Sequence, residues 1–150
     1  MKKAILMSIK REWAERILSG EKTIEIRKTS PRERLPLKIY IYETKGSKGK
    51  GAVVGEFVCQ NITHFSVPYP VWEKEADRKT LRAACLTYLE AHRYLGASTG
   101  YAWHISKLKI YDPPKSLREF RAPEHNANCD RNNRLLAPPQ SYCYVEDNDG

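Results

Sequence analysis

The stretch SGEKTIEIRK at residues 19–28 contains five charged residues, yet its centre has the pattern of a strand. Polar and apolar residues alternate from residue 23 to residue 27, which is typical of a β-strand with one buried face. The two isoleucines would then face a core, whereas Thr23, Glu25 and Arg27 would share the opposite face. That charged face is either solvated surface or the floor of a site.

The residues before this stretch predict a strand followed by a helix. The segment KKAILMSI at residues 2–9 is rich in apolar residues and indicates a first strand. Apolar residues then recur at helical spacing over residues 10–19, and Gly20 follows where the C-cap of a helix is expected.

The residues after it predict further strands and one longer helix. LKIYIYET and AVVGEFVCQ indicate the two strands of a hairpin around the glycine-rich turn KGSKGKG. Helical spacing predicts a single helix over residues 77–95, followed by the short strands GYAWHI and LKIYD. Pro113 and Pro114 are expected to end the second of these strands. Residues 123–140 are expected to form an irregular polar loop before a final strand, SYCYV.

This order of elements indicates one α+β domain spanning residues 1–150. About six short strands with two main helices between them favour a closed or nearly closed mixed sheet. The sequence has no run of about 18 apolar residues. We therefore expect no membrane contact, and because the opening segment lacks the pattern of a signal peptide we expect a cytoplasmic protein.

The net charge of +8 favours nucleic acid as a partner. Four widely spaced cysteines are expected to be reduced thiols. A zinc site could be drawn from His125, Cys129 and Cys143, but the spacing fits no standard ligand pattern, so we expect neither a metal nor another cofactor.

Residues 20–27, GEKTIEIR, match G-x-K-x-x-E-x-R, and on this motif the chain resembles the ASCH domains of the PUA-like superfamily. The segments ILMSIK, KIYIYET, VVGEF, YAWHISKLKIY and APPQSYCYV extend the resemblance over most of the chain. The resemblance implies a PUA-like β-barrel surrounded by helices, a cleft floored by the motif, and a role in binding RNA. The resemblance extends to the related acetylcytidine amidohydrolases, which have the same fold and remove an acetyl group from a modified nucleoside.

The motif supplies the central candidates for the site. Arg27 offers a planar fork suited to phosphate or to base-edge acceptors, and Glu25 can accept a hydrogen bond from an exocyclic amine. The two side chains could equally pair with each other. In the amidohydrolases the lysine at this motif position is catalytic, so the resemblance gives Lys22, with Glu25, a possible catalytic role. Glu25 stands where those enzymes have a threonine nucleophile, and their partner glutamate could be matched only loosely by Glu73 or Glu75.

Other candidates surround the motif. Ser8 and Lys10 precede a helix N-terminus that could bind an anion, although Ser8 could instead be an ordinary N-cap. Tyr42 and Trp103 are suited either to stacking on a base or to packing in a core. Basic residues of the two flanking loops could contact phosphates; they are Lys28, Arg32 and Arg34, with Arg27, in one loop and Lys45, Lys48 and Lys50 in the other. Gln140 and the asparagines of the tail could supply amide contacts, or could be plain loop residues.

These observations lead to a principal expectation and two alternatives. The principal one is a regulatory module that binds nucleic acid, RNA before DNA, with a cleft for an unpaired or modified base. The first alternative is a small amidohydrolase acting on a modified nucleoside such as acetylcytidine. The second is a protein-interaction domain that docks through the aromatic loop FSVPYPVW.

Overall fold

The computed structural model describes residues 2–67, 75–96 and 99–149. In chain order the elements are β1 (Lys3–Ile9), α1 (Arg11–Leu18), β2 (Ile24–Arg27), β3 (Leu37–Glu43), β4 (Ala52–Cys59), β5 (Ile62–Ser66), α2 (Glu75–Ala83), α3 (Tyr88–Leu95), β6 (Thr99–His104), β7 (Ser106–Lys115) and β8 (Tyr142–Glu146). Short 3-10 turns follow β3 and β7. The α+β class is confirmed.

The strands form two separate sheets. The larger sheet has the order β7-β4-β3-β1-β8, in which β1 and β3 are parallel and the other neighbours are antiparallel. The smaller sheet has the order β2-β6-β5 and is antiparallel throughout. The expected closed or nearly closed barrel is not seen in the described residues, because hydrogen bonding does not join one sheet to the other.

The three central strands of the larger sheet, β4, β3 and β1, are buried on both faces. Alternate residues of β1 enter different clusters: Ile5 and Met7 pack towards α1 and Trp103, whereas Leu6 packs towards Phe120 and the C-terminal segment. This double burial explains why β1 reads as a nearly continuous apolar run rather than as an alternating strand.

The smaller sheet presents its two faces to different surroundings. Ile24 and Ile26 of β2 pack with Leu81 of α2 and Leu95 of α3, as the strand pattern predicted. Neighbouring β6 places Trp103 on the opposite face, in the cluster that includes β1 and β3. Glu25, the partner of Trp103 in the register of the two strands, therefore lies on the side of β2 that faces the larger sheet.

Several predicted elements need correction. The single helix over residues 77–95 is two helices, because the chain turns at residues 84–87 and Cys85 takes a positive φ of 58°. The described chain thus has three helices, not two main ones. Strand β7 also continues through Pro113 and Pro114; it lies at the edge of its sheet, where a missing backbone donor is tolerated. Strand β5 was not predicted.

Two further sequence-based predictions can be compared with the described chain. Gly20 has a φ of 84° just after α1, as expected of a residue that ends a helix. Most of the aromatic loop FSVPYPVW lies outside the described residues. None of the helices described has the length and hydropathy needed to span a bilayer.

Candidate functional site

A cavity of about 970 Å³ opens beside the motif strand β2. Its walls come from the end of β1 with the first turn of α1, the motif around β2, Thr44 after β3, the region of α3, and the segment that leads into β8. The cavity therefore lies where five separate parts of the chain meet, and the motif supplies one wall.

A buried ionic triad forms the motif's part of the wall. One carboxylate oxygen of Glu25 lies 3.4 Å from Lys22 Nζ, and the other lies 3.0 Å from Arg27 Nη1. All three side chains are at least nine-tenths buried. The pairing of Glu25 with Arg27 foreseen as one alternative is therefore present, but in a buried setting and not on a solvated face.

The turn between α2 and α3 holds Lys22 in place. Lys22 Nζ donates to the backbone carbonyl of Ala84 at 2.5 Å, and the next residue's N–H donates to the carbonyl of Ala83 at 2.8 Å. The ring of Trp13 lies 5.3 Å from the same ammonium group. Burial lowers the pKa of Lys22, and the charge of Glu25 opposes that effect.

Arg27 connects the motif to two distant segments. Its Nη1 donates to the backbone carbonyl of Ser8 at 3.4 Å, and its Nη2 donates to Ser141 Oγ at 2.7 Å. Its Nε is buried and has no hydrogen-bond partner in the described chain. An unpaired buried donor is costly, so part of the guanidinium's hydrogen-bonding capacity is unused in this state.

Ser8 anchors the C-terminal segment to β1. Its hydroxyl donates to the carbonyl of Pro139 at 2.7 Å, and its N–H donates to the carbonyl of Ser141 at 2.9 Å. The alternative that Ser8 caps α1 is wrong, because the N-cap is Lys10 and no side chain caps it. The polar tail does reach the cavity, through its last residues before β8.

The predicted site residues divide into two groups. Six of them line the cavity: Ser8, Lys10, Lys22, Glu25, Arg27 and Lys28. Five lie elsewhere: Thr23, Tyr42, Lys45, Lys48 and Trp103.

Each residue of the second group has a local reason for its position. Thr23 precedes β2 and is exposed, so it does not share the face of Glu25 and Arg27 as the alternation suggested. Tyr42 and Trp103 are core residues, 3% and 0% exposed. Lys45 and Lys48 are exposed on the turn after β3, outside the cavity lining.

Of the two glutamates loosely matched to the amidohydrolase pattern, only Glu75 is described, and it lies away from the triad. Glu75 begins α2, where it pairs with Arg82 at 3.3 Å in an exposed position. Glu73 lies outside the described residues.

Tyr94 is a cavity residue that the sequence analysis missed. It lies on α3 with 40% of its surface exposed, and Lys28 Nζ is 5.3 Å from its ring centre. Burial of its hydroxyl raises its pKa, and the charges of Arg27 and Glu25 both act on it. Tyr94 therefore lies close enough to the triad for the charges of Arg27 and Glu25 to act on its hydroxyl. The sequence did contain a sign of this: Tyr94 follows Arg93 and lies outside the apolar face of the predicted helix, which indicates an aromatic side chain that faces outwards.

Basic residues outnumber acidic ones around the cavity. The lining includes five lysine and arginine side chains, Lys10, Lys22, Arg27, Lys28 and Arg93, against three glutamates, Glu12, Glu25 and Glu90. Glu90 belongs to the capping box of α3, which lowers its pKa through hydrogen bonds from the backbone of Thr87. The cavity thus carries a net positive charge at neutral pH.

The potential zinc ligands do not come together. His125 Nδ1 lies 3.6 Å from Cys129 Sγ, whereas Cys143 packs against the core and its pKa is raised by burial to about 11. Across residues 2–67, 75–96 and 99–149, no group of three or more potential ligands is suitably placed for a metal.

Comparison with known proteins identifies relatives of this fold. The ASCH domain model matches residues 7–115. A crystal structure of ASCH from Zymomonas mobilis is 24% identical, with a TM-score of 0.69 over 96% of this chain and 88% of that one. Two single-substitution variants of the same protein are also similar. The serine-to-alanine variant gives a TM-score of 0.66 over 96% and 89% of the two chains, and the tyrosine-to-phenylalanine variant 0.62 over 97% and 92%, each at 24% identity. At this identity the structures show a shared fold. No curated protein gives a significant match.

Proposed function

We propose, since this chain belongs to the ASCH domain family, that its cavity binds an unpaired or modified base of a nucleic acid, RNA before DNA. The observation that carries the proposal is the buried triad of Lys22, Glu25 and Arg27 at the wall of a cavity with a net positive lining. Such a wall offers charged hydrogen-bonding groups to a base edge, and the basic rim offers partners for phosphates.

The size and lining of the cavity suit a nucleotide. Small-molecule sites have volumes of roughly 300–1,000 Å³ and few polar groups at defined positions. Tyr94 provides a partly exposed aromatic ring on which a base can stack, and Lys28 Nζ lies over that ring, 5.3 Å from its centre. A base that enters from a duplex would first have to leave its stack, so the cavity favours single-stranded nucleic acid.

The test compares two positions on α3. Both Tyr94 and Leu89 are exposed, at 40% and 53%, but Tyr94 lines the cavity and Leu89 does not. Fluorescence anisotropy with labelled single-stranded RNA, hairpin RNA and duplex DNA would give affinities over a series of salt concentrations. Tyr94→Ala should weaken binding of single-stranded RNA by about 5- to 150-fold, the equivalent of losing one stacked base, and Leu89→Ala should change it little.

Two results would count against the proposal. Failure of the wild-type protein to bind any of the three nucleic acids at low salt would refute it. An equal loss of affinity in Leu89→Ala and Tyr94→Ala would indicate that the nucleic acid binds outside the cavity. Affinity should also fall steeply with salt, because phosphate contacts release counterions.

One observation favours hydrolysis of a modified nucleoside as a second candidate. Burial lowers the pKa of Lys22, which brings an amine closer to the range in which it can accept a proton, and Lys22 lines the cavity beside Glu25. Release of acetate from acetylcytidine by the wild-type protein, and loss of that activity in Lys22→Met, would support this candidate. Absence of turnover in the wild-type protein would reject it.

A further inference from the structure

The segment between Pro139 and Tyr142 holds one polar side chain at the cavity that has no partner among the described residues. Pro139 and Ser141 are fixed by hydrogen bonds to Ser8, and Tyr142 packs edge-on against Trp103 at 5.4 Å. Gln140 lies between these anchored residues, is exposed, and lines the cavity. Its backbone is therefore held on both sides at a position that borders the ligand space.

The other polar groups near Gln140 are already engaged. Ser8 Oγ bonds to Pro139, Ser141 Oγ accepts from Arg27, and Glu25 pairs with two cations. The Gln140 amide makes no hydrogen bond to any residue within the described ranges. It is thus a donor and an acceptor available to a bound molecule, with no internal hydrogen bond to break first.

We propose that Gln140 determines which base the cavity accepts, an inference that rests on the proposed function. A glutamine amide pairs with an edge that presents an amino group next to a ring nitrogen acceptor. On the Watson–Crick edge, adenine and cytosine have this arrangement and guanine and uracil do not. Each carboxylate oxygen of Glu25 has a second lone pair, so Glu25 can add an acceptor for the same amino group. A lone amide could turn over and pair with the N–H and carbonyl of uracil or guanine, so the selection depends on both acceptors. Gln140 and Glu25 together favour adenine and cytosine, whose amino group can donate to both, over guanine and uracil.

Replacing the amide with a carboxylate gives the sharpest variant. Gln140→Glu keeps the shape of the side chain but removes its donor, so a ring nitrogen acceptor loses its partner. Guanine presents two N–H donors side by side, which a carboxylate can accept together. Gln140→Glu should therefore shift the preference towards guanine, whereas Gln140→Ala should reduce the differences between bases. Gln60→Glu is the matched control, because Gln60 is exposed, does not line the cavity, and undergoes the same change of charge.

The experiment uses four short RNA oligonucleotides that are abasic except at one central nucleotide. That nucleotide carries adenine, cytosine, guanine or uracil. The wild-type protein should prefer adenine and cytosine, and Gln140→Ala should reduce that preference by about 5- to 150-fold, as expected for a bidentate contact. Comparing ratios among the four RNAs removes the general effect of added negative charge. Ratios within twofold of wild type in Gln140→Ala, or an equal shift in Gln60→Glu, would overturn the role of Gln140.

The controls distinguish this inference from the function on which it rests. If Tyr94→Ala weakens binding while the Gln140 variants leave the ratios unchanged, the cavity binds nucleic acid and Gln140 does not select the base. If the wild-type protein binds none of the four RNAs at low salt, both proposals fail.

Discussion

Glu25→Gln should destabilise the protein more than any exposed change of the same kind. Glu25 neutralises two cations that are 99% and 90% buried, Lys22 and Arg27. The substitution preserves volume but leaves both cations without a counter-charge. Removal of one partner from a buried ion pair typically costs about 3–5 kcal/mol. We expect the lower end of that range, about 3 kcal/mol, because Lys22 and Arg27 keep their hydrogen bonds to Ala84 and Ser141.

This loss is large enough to measure by thermal unfolding. For a domain of this size, 1 kcal/mol shifts Tm by about 2–4 °C, so Glu25→Gln should lower Tm by about 6–12 °C. Glu21→Gln is the control, because Glu21 belongs to the same motif but is exposed. Circular dichroism at several salt concentrations should show that the difference persists at high salt, since buried pairs are poorly screened. A fall in Tm within 2 °C of the Glu21→Gln value would refute the claim that the triad is a buried, mutually dependent unit.

Three further predictions concern stability and reactivity. Because burial lowers the pKa of Lys22, the unfolded chain binds more protons than the folded protein between that pKa and about 10.4. Wild-type stability relative to Lys22→Met should therefore rise with pH in this window, and denaturant titrations that give a constant difference would contradict it. Cys85 is partly exposed, whereas Cys59 is buried and burial raises its pKa to about 11. Cys85 should thus react with a thiol reagent well before Cys59, and mass spectrometry of partly labelled protein gives the order. Gly55→Ala should destabilise by about 1–3 kcal/mol, because its Cβ would lie 2.6 Å from a β7 backbone oxygen. Gly46→Ala meets nothing within 4 Å and should be nearly neutral in the same chemical denaturation, so equal effects would argue against the β4–β7 contact.

Local patterns in the sequence predicted most of the individual elements. The strand at residues 2–9, the helix that follows and the hairpin strands depend on apolar periodicity and on glycine turns, which short segments contain in full. The division into two sheets depends on which strands pair, and β6 and β7 belong to different sheets although they are adjacent in the chain. No local pattern carries that information, so the sequence predicted one closed or nearly closed sheet where the structure has two.

The helix over residues 77–95 shows how tertiary contacts override helical periodicity. Apolar residues keep helical spacing across the break, yet the chain turns at Cys85, where φ is positive. The turn leaves the carbonyl of Ala84 free to accept a hydrogen bond from Lys22. In a continuous helix that carbonyl would have accepted a backbone N–H of the next turn instead. The capping box formed by Thr87 and Glu90 then starts α3. That pair of residues was the one local sign of a helix start inside the predicted helix.

The site could be predicted only as far as the motif extends. Glu25 and Arg27 were placed correctly on one face of a strand, but alternation alone does not distinguish a face covered by solvent from one covered by another sheet. For Tyr42 and Trp103 the structure decides for the core, the second of the two alternatives, and the sequence left the choice open because an aromatic residue on a strand has the same local pattern in a core as at a surface. Tyr94 was missed because its position depends on the turn that separates α2 from α3.

The buried triad also explains why the motif needs the rest of the chain. Within the motif, the single carboxylate of Glu25 faces two buried cations, Lys22 and Arg27. One carboxylate cannot satisfy both, so each cation needs further hydrogen-bond partners. Those partners come from the α2–α3 turn for Lys22, and from Ser8 and Ser141 for Arg27. Ser141 lies beyond residues 7–115, the part that matches the family. Because the segment that completes the coordination of Arg27 also carries Gln140 to the cavity, the same backbone contacts that stabilise the motif fix the position of the side chain proposed to select the ligand.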